Sequence, residues 1–300
     1  MKITIRKDMQ DFLKDPLLKA GYEIYLEGEK DSYDSEMFIG YPSSNLHNGT
    51  YPNLKTIQLL SAGYDGLDLE RLKEEKITVM NARGVYSEPI AEFVLANILY
   101  SMKDLDILKS NQDKKEWNRS NALPLSLIDK KVFLLGTGSI NEEVAKRLHV
   151  FKAQTIGFNS DGRDLEHFDL CHPLSQMPDM IHEADIIVAS LPSNKHTIHL
   201  FNGALFDKIK ENAIFVNVGR GSLLDEKDIQ NHTKHLKKII LDVFEEEPLS
   251  KDSYLWEEEN VVITPHISFF SERNNQNRLD LVFENIKRLK NKQSLKNQIL

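Results

Sequence analysis

The sequence predicts an α/β protein of two domains with parallel sheets. Strand-sized apolar runs recur at Lys2–Ile5, Met37–Ile39, Thr56–Leu60, Ile77–Met80, Val132–Leu135, Thr155–Phe158, Ile186–Leu191, Ala213–Val218, Ile239–Val243 and Val261–Thr264. Stretches with helical apolar spacing separate most of them, and strands alternating with helices imply parallel sheets covered on both faces. The runs fall into two series, and 300 residues is about twice the common domain size.

The joints between the series are helical. Ser87-Glu88-Pro89 reads as a helix start with proline in the first turn, and Ala91, Val94, Leu95, Ile98, Leu99, Met102 and Leu105 follow at i, i+3, i+4 spacing. This long helix is expected to break up in the polar stretch Ser110–Asn121, before Leu123-Pro124-Leu125 opens the second series. Near the end, Ser271 is expected to cap another helix, with Leu279, Val282, Ile286 and Leu289 on one side. The expected domains are residues 1–95 plus 270–300, and 96–269.

Composition narrows the function classes. Lys and Arg number 38 against 46 Asp and Glu, a net charge of −8 that argues against a general nucleic-acid binder. Cys171 is the one cysteine, so no internal disulfide forms, and the start Met1–Lys7 has no long apolar stretch behind it, so an unprocessed chain is expected. No window approaches the roughly 18 uncharged apolar residues of a membrane span. The expected location is cytoplasmic, with neither membrane nor nucleic acid as partner. Cys171-His172, His182 and His196-Thr197-Ile198-His199 lack the paired ligand spacing of zinc sites, so no metal is expected.

The strongest local signal is Lys131–Leu135 followed by Gly136-Thr137-Gly138-Ser139-Ile140-Asn141 and a helical run to Phe151. Gly136 permits a sharp turn, and Gly138 lets backbone approach a pyrophosphate whose charge sits against the N–H groups at the helix start. Asn141 stands where the dinucleotide fingerprint has its third glycine, so close helix-to-strand packing needs another explanation. The next strand leads to Asn159, the position of a ribose-reading side chain.

Further on, Asn217-Val218-Gly219-Arg220-Gly221, Leu241-Asp242-Val243-Phe244-Glu245-Glu246-Glu247-Pro248 and Thr264-Pro265-His266-Ile267-Ser268 come in a fixed order at strand ends. With Ser61-Ala62-Gly63-Tyr64-Asp65, Ala91-Glu92, and Leu191-Pro192 followed by Thr197, the chain over roughly residues 54–270 resembles the D-isomer-specific 2-hydroxyacid dehydrogenases, glyoxylate/hydroxypyruvate reductases among them. The resemblance implies a flavodoxin-like substrate domain built from both termini, a Rossmann-like dinucleotide-binding domain inserted in it, and a cleft between them.

The residues make physical sense in those roles. Arg220, flanked by glycines at a strand's carboxyl end, can grip a carboxylate through two hydrogen bonds and polarise a neighbouring keto oxygen. His266 follows a strand and a proline, and an imidazole suits proton delivery to that oxygen. Glu245, Glu246 and Glu247 can each hold the imidazole, and the resemblance selects Glu247, directly before proline. It also implies that Ser61, Ala62 and Gly63 present backbone N–H groups to the substrate carboxylate. Ser139 and Ile140 would lie along the pyrophosphate, and Leu191, Pro192, Thr197, Val218, Gly219, Asp242 and Ser268 would line the cofactor groove. Asp242 is expected either to orient the nicotinamide carboxamide or to cap a buried strand end.

The expected activity is hydride transfer between a nicotinamide cofactor and a small 2-keto acid or D-2-hydroxy acid. A dinucleotide-sensing, corepressor-like interaction protein and a phosphoglycerate dehydrogenase are the alternatives. Because Asn159 is neutral where NAD-specific sites carry an acid, and Ser160 and Arg163 can donate to a phosphate, NADPH is favoured over NADH despite Asp161. The apolar stripe Ala91–Leu105 and the resemblance point to a homodimer formed through the nucleotide-binding domain.

Overall fold

A computed structural model describes residues 1–42 and 50–300, and every strand pairing within its two sheets is parallel. The chain divides into two units, Met1–Tyr86 with Ser271–Leu300, and Ser87–Phe270. The first division falls at the start of the helix Ser87–Met102, which a boundary at residue 95 would have cut.

In the first unit, β1 (Lys2–Ile5), β2 (Glu23–Leu26), β3 (Met37–Ile39), β4 (Thr56–Gln58) and β5 (Thr78–Met80) form a sheet of order β2-β1-β3-β4-β5. Alternation along these short strands sends side chains to both faces. Ile3, Ile5, Met37 and Ile39 pack on Leu13 and Leu17 of α1 (Gln10–Lys19) and on Val282 and Ile286 of the C-terminal helix Asn274–Lys290. Phe38, Ile57 and Val79 face the other way, onto Leu72 of α2 (Leu69–Glu74) and onto Tyr51 and Leu54. Ser271 lies ahead of the C-terminal helix, where its hydroxyl accepts from the Arg273 N–H at 3.2 Å.

The last residues cover the β5 edge. Val79 donates to the Leu300 carbonyl, Ile299 to Val79 and Asn81 to Asn297, so this edge is not left open to other chains. One buried side chain secures the turn that makes this possible. Asn285 donates to Gln58 Oε1 at 2.7 Å and to the Lys296 carbonyl at 3.1 Å, and accepts from the Lys296 N–H at 2.8 Å.

The second unit begins with α3 (Ser87–Met102) and α4 (Leu105–Asp113). The single helix expected through Leu105 is thus two. Asp104 takes a left-handed φ of 51°, and its carboxylate accepts from the Leu123 N–H and from Lys237. The apolar stripe is consumed within the unit: Ile90, Ala91, Val94, Ile98 and Met102 are buried, whereas Leu105 is exposed. Helix also continues further than expected, to Asp113.

Seven strands follow, β6 (Lys131–Leu135), β7 (Gln154–Asn159), β8 (Leu170–Pro173), β9 (Ile186–Ala189), β10 (Ile214–Asn217), β11 (Lys238–Leu241) and β12 (Val261–Ile263). Their order is β12-β11-β10-β9-β6-β7-β8, with α5 (Ser139–Val150) joining β6 to β7 and the short α6 (Met177–Met180) and α7 (Gly203–Phe206) in later connections. The strand order reverses beside β6, where open α/β sheets bind ligands at the strands' carboxyl ends.

Replacing Asn285 by Leu should destabilise the chain by about 2–4 kcal/mol, because the Lys296 backbone and Gln58 lose buried partners. Urea unfolding checks this, and a change below about 0.5 kcal/mol would show that the tail is held elsewhere.

Candidate active site

The glycine turn after β6 has the shape a phosphate needs. Gly136 sits at φ 84° and its N–H donates to the Phe158 carbonyl at 2.8 Å, a conformation that favours glycine. Around Gly138, the residue before α5, a side-chain carbon would meet nothing within 4 Å, so space is open beside a helix start that offers unpaired N–H groups. Ser139 and Ile140 form the first turn of α5 and are half-buried. Asn141 supplies the close packing that a third glycine would have allowed. Its buried amide donates to the carbonyls of Leu135 at 3.0 Å and Gly136 at 2.8 Å, fastening the helix to the strand end.

The loop after β7 departs from expectation. Asn159 is buried, donates to the Arg163 carbonyl at 2.9 Å, and accepts from the Asp161 and Gly162 N–H groups at 3.2 and 2.6 Å. Its amide builds the loop instead of standing clear as a donor to a ribose. Ser160 is exposed, and Arg163 forms an exposed ion pair with Asp161 at 2.8 Å.

After β9, Leu191 is buried and Pro192 exposed, while the Thr197 hydroxyl donates to the Pro192 carbonyl at 2.6 Å and accepts from the Asn194 N–H at 2.9 Å. Thr197 thus closes its own turn. Gly136 and Gly219 both pack on this segment. A side-chain carbon on Gly136 would lie 3.2 Å from Leu191 Cδ2, and one on Gly219 would lie 2.8 Å from the Leu191 carbonyl oxygen. Val218 donates its N–H to Ala189 at 3.0 Å and is buried.

The turn after β10 presents Arg220. Buried Asn217 accepts from the Gly219 N–H at 3.1 Å and donates to the Arg220 carbonyl at 3.0 Å, closing the turn from within. Nothing in the motif reading pointed to Asn217 as this brace. Both flanking glycines are buried. A carbon added at Gly221 would lie only 1.8 Å from the Phe244 carbonyl carbon, so glycine is required where the β10 and β11 turns meet.

Those turns lead to a histidine–glutamate pair. His266 Nδ1 meets Glu247 Oε2 at 2.8 Å, and Glu247 Oε1 accepts from the Phe244 N–H at 3.1 Å. Glu245, one of the rivals, is engaged instead with His199 at 2.6 Å. Asp242 is fully buried and takes the strand-end role. It accepts from Thr264 Oγ1 at 2.6 Å and from the N–H groups of Ile267 at 2.9 Å and Ser268 at 3.0 Å. It presents no surface to a carboxamide, and the Ser268 N–H is likewise spent inside the turn.

In the first unit, Ser61, Ala62 and Gly63 form the loop that follows β4. The Ala62 carbonyl accepts from Asn81 Nδ2 and the Gly63 carbonyl from Ser61 Oγ, each at 2.8 Å. In planar trans peptides the N–H groups paired with those carbonyls, on Gly63 and Tyr64, point the opposite way.

Among the described residues no helix is long and apolar enough to cross a membrane. A family model described as the D-isomer specific 2-hydroxyacid dehydrogenase, NAD binding domain, matches residues 95–268. A glyoxylate/hydroxypyruvate reductase B of Klebsiella pneumoniae is 31% identical over 245 residues, covering 78% of this chain and 75% of that one. The solved structure of a D-isomer specific 2-hydroxyacid dehydrogenase family protein from Aeromonas salmonicida aligns with a TM-score of 0.86 at 28% identity, covering 100% of this chain and 98% of that one. That of a D-isomer specific 2-hydroxyacid dehydrogenase from Xanthobacter autotrophicus, in complex with NADPH, gives 0.86 at 25%, with the same coverage. The chain therefore belongs to the D-isomer specific 2-hydroxyacid dehydrogenase family and is a nicotinamide-dependent oxidoreductase.

Proposed function

We propose that the chain reduces a small 2-keto acid to its D-2-hydroxy acid, with His266 as proton donor, Glu247 as its partner and Arg220 as the carboxylate grip. The observation that carries this reading is the 2.8 Å contact between His266 Nδ1 and Glu247 Oε2, beyond the carboxyl ends of β11 and β12. With Nδ1–H held by the carboxylate, Nε2 is left to carry the transferable proton. When bound, the reduced nicotinamide supplies the hydride that attacks C2. His266 delivers its proton to the keto oxygen as charge develops there, and Glu247 stabilises the imidazolium beforehand. Arg220 aligns the substrate through its carboxylate and draws electron density from the keto group. The Gly63 and Tyr64 N–H groups, turned away from the side chains that hold their paired carbonyls, suit a carboxylate.

The cofactor preference is NADPH. Position 159 carries no negative charge to repel a 2′-phosphate, and Arg163 is held by an exposed ion pair, of a kind worth only about 0–1 kcal/mol. A phosphate of about −1.5 to −2 charge competes well for such an arginine. The NADPH bound by the Xanthobacter relative accords with this reading.

The chain is further proposed to act in the cytoplasm as a homodimer. The internal face of α3 leaves no stripe to share, but the second unit exposes Leu105, Leu108, Trp117, Leu123 and Val150, with Trp117 at 91% and Val150 at 80% exposure. A contiguous patch drawn from such side chains would serve as an association surface.

Arg220→Ala and His266→Ala should each lower 2-keto acid reduction by about 10²–10⁴ while leaving cofactor affinity nearly intact. Glu247→Gln should act more mildly, since the imidazole keeps a hydrogen-bonding partner of the same shape and loses only its carboxylate. Steady-state kinetics with a panel of 2-keto acids tests all three, and near-wild-type turnover in His266→Ala would remove the proton donor.

For the cofactor, kcat/KM should favour NADPH in the wild type, and Asn159→Asp should swing it toward NADH. A wild-type preference for NADH of about tenfold, worth about 1.4 kcal/mol, would overturn the assignment. Sedimentation at micromolar concentration should give twice the 34.5 kDa chain mass, and a single-chain species alone would refute the dimer.

A further inference from the structure

Glu247 stands on the short loop that leaves β11, and that loop is held two residues upstream, at Glu245. The Glu245 N–H donates to Glu226 Oε1 at 2.8 Å, while Glu245 Oε2 accepts from the Glu226 N–H at 3.3 Å. Each glutamate thus binds the other's backbone. The remaining oxygen, Glu245 Oε1, meets His199 Nε2 at 2.6 Å, and Asp225 lies 3.7 Å from the other ring nitrogen.

Each member is anchored in turn. Tyr254 donates its hydroxyl to the Glu226 carbonyl at 2.7 Å. His199 donates its N–H to the Ser222 carbonyl at 2.8 Å, and Asp225 donates its own to Phe201 at 3.0 Å. Segments that follow β9, β10 and β11 are in this way cross-linked, with Glu245 as the common member.

Neutral side chains would make a link of this kind at less electrostatic cost. Here burial pushes the Glu226 carboxyl up from the usual range, and the nearby charges of Glu245 and Glu247 push it further, although the Glu245 N–H works against them. The arrangement keeps acidic groups near Glu247, one of them in contact with His199.

We propose that Glu226, Glu245 and His199 form a clamp that sets Glu247 against His266, which makes Glu226 and His199 positioning residues for proton delivery. The inference rests on His266 as the proton donor. None of the three touches the reacting atoms. They act through the backbone of residues 244–247, whose Phe244 N–H holds Glu247 Oε1.

The test combines steady-state kinetics of the full chain with crystal structures of variants. Glu226→Ala removes the acceptor for the Glu245 N–H. It should lower kcat by about tenfold or more, since a displacement of about 1 Å at a reacting group has effects of this size, while KM for the cofactor stays within about twofold. In its crystal structure the Glu247 Oε2 to His266 Nδ1 distance should exceed about 3.5 Å. Glu226→Gln keeps an acceptor oxygen and should restore kcat to within about threefold of wild type. His199→Ala, which leaves both backbone links intact, should lower kcat by a smaller factor with the same unchanged cofactor KM.

Wild-type kcat in Glu226→Ala, or a Glu247–His266 distance still near 2.8 Å there, overturns the clamp. Failure of Glu226→Gln to rescue, with both variants melting at equally lowered temperatures, reduces Glu226 to a packing role and also overturns it. If Glu226→Ala does not fold, His199→Ala decides by the same kinetic and distance readouts. A wild-type chain that reduces no 2-keto acid with either cofactor would instead remove His266 as donor, and the variant distances would still decide the clamp.

Discussion

The turn that carries His266 depends on one buried carboxylate. Asp242, at the end of β11, is closed off from solvent, and an uncompensated charge there would cost several kcal/mol. The chain after β12 wraps around it with one hydroxyl and two N–H groups, at 2.6, 2.9 and 3.0 Å. Those bonds offset the burial and also shape the turn. His266 takes a φ of 49°, a region that costs an ordinary side chain roughly 1–2 kcal/mol and persists only where the surroundings impose it. The carboxylate that imposes it is donated by the neighbouring strand, so the sheet register of β11 and β12 directly sets where the imidazole stands.

What the sequence made legible follows from burial. Each strand read from a compact apolar run lies in a sheet within a residue or two of its expected bounds, because burial on both faces leaves a continuous apolar signature. The two strands without such a signature, Glu23–Leu26 and Leu170–Pro173, are both sheet edges and only partly buried. Edge strands need fewer apolar side chains, and polar and proline residues are admitted there. The helix break at Asp104 was illegible for another reason: its cause is a bond to Leu123, nineteen residues later, which no local pattern encodes.

The site was legible in its residue types more than in their duties. Arg220 and His266 were singled out on strand-end motifs and Glu247 on the family resemblance, and Glu247 stands 2.8 Å from His266. Asp242, Asn159 and Thr197 are also at the places the motifs gave, yet each spends its polar atoms on its own loop or the adjacent one. A sequence shows that a polar group stands near a ligand site, and only the hydrogen-bond partners show whether any of it is left for the ligand. The glycines beside Arg220 make the same point. Their need arises from backbone lying within 3 Å of an added carbon at Leu191 and Phe244, a contact between segments far apart in the chain. The missing third glycine has the converse logic, since Asn141 achieves by hydrogen bonding what glycine would achieve by having no side chain.

A chain of net charge −8 that takes anionic ligands must bind them by local fields. Screening at physiological ionic strength limits exposed charges to about 8 Å, so distant carboxylates contribute little and the first few groups decide. Around the glycine turn those groups are the N–H donors that open α5, aligned with a helix of twelve residues whose dipole favours negative charge at that end. Arg220 supplies the matching positive charge on the same sheet, and its guanidinium donates to the Gly219 carbonyl at 2.8 Å, which fixes its root while the turn braced by Asn217 fixes its backbone. The acidic residues nearest this region are not loose charge. Asp242 is enclosed by three donors, Glu247 by Phe244 and His266, and Glu245 by His199 and Glu226. Asp242, Glu245 and Glu247 are thus already paired with donors of the protein, and pairing is what lets an anion site tolerate acids so close by.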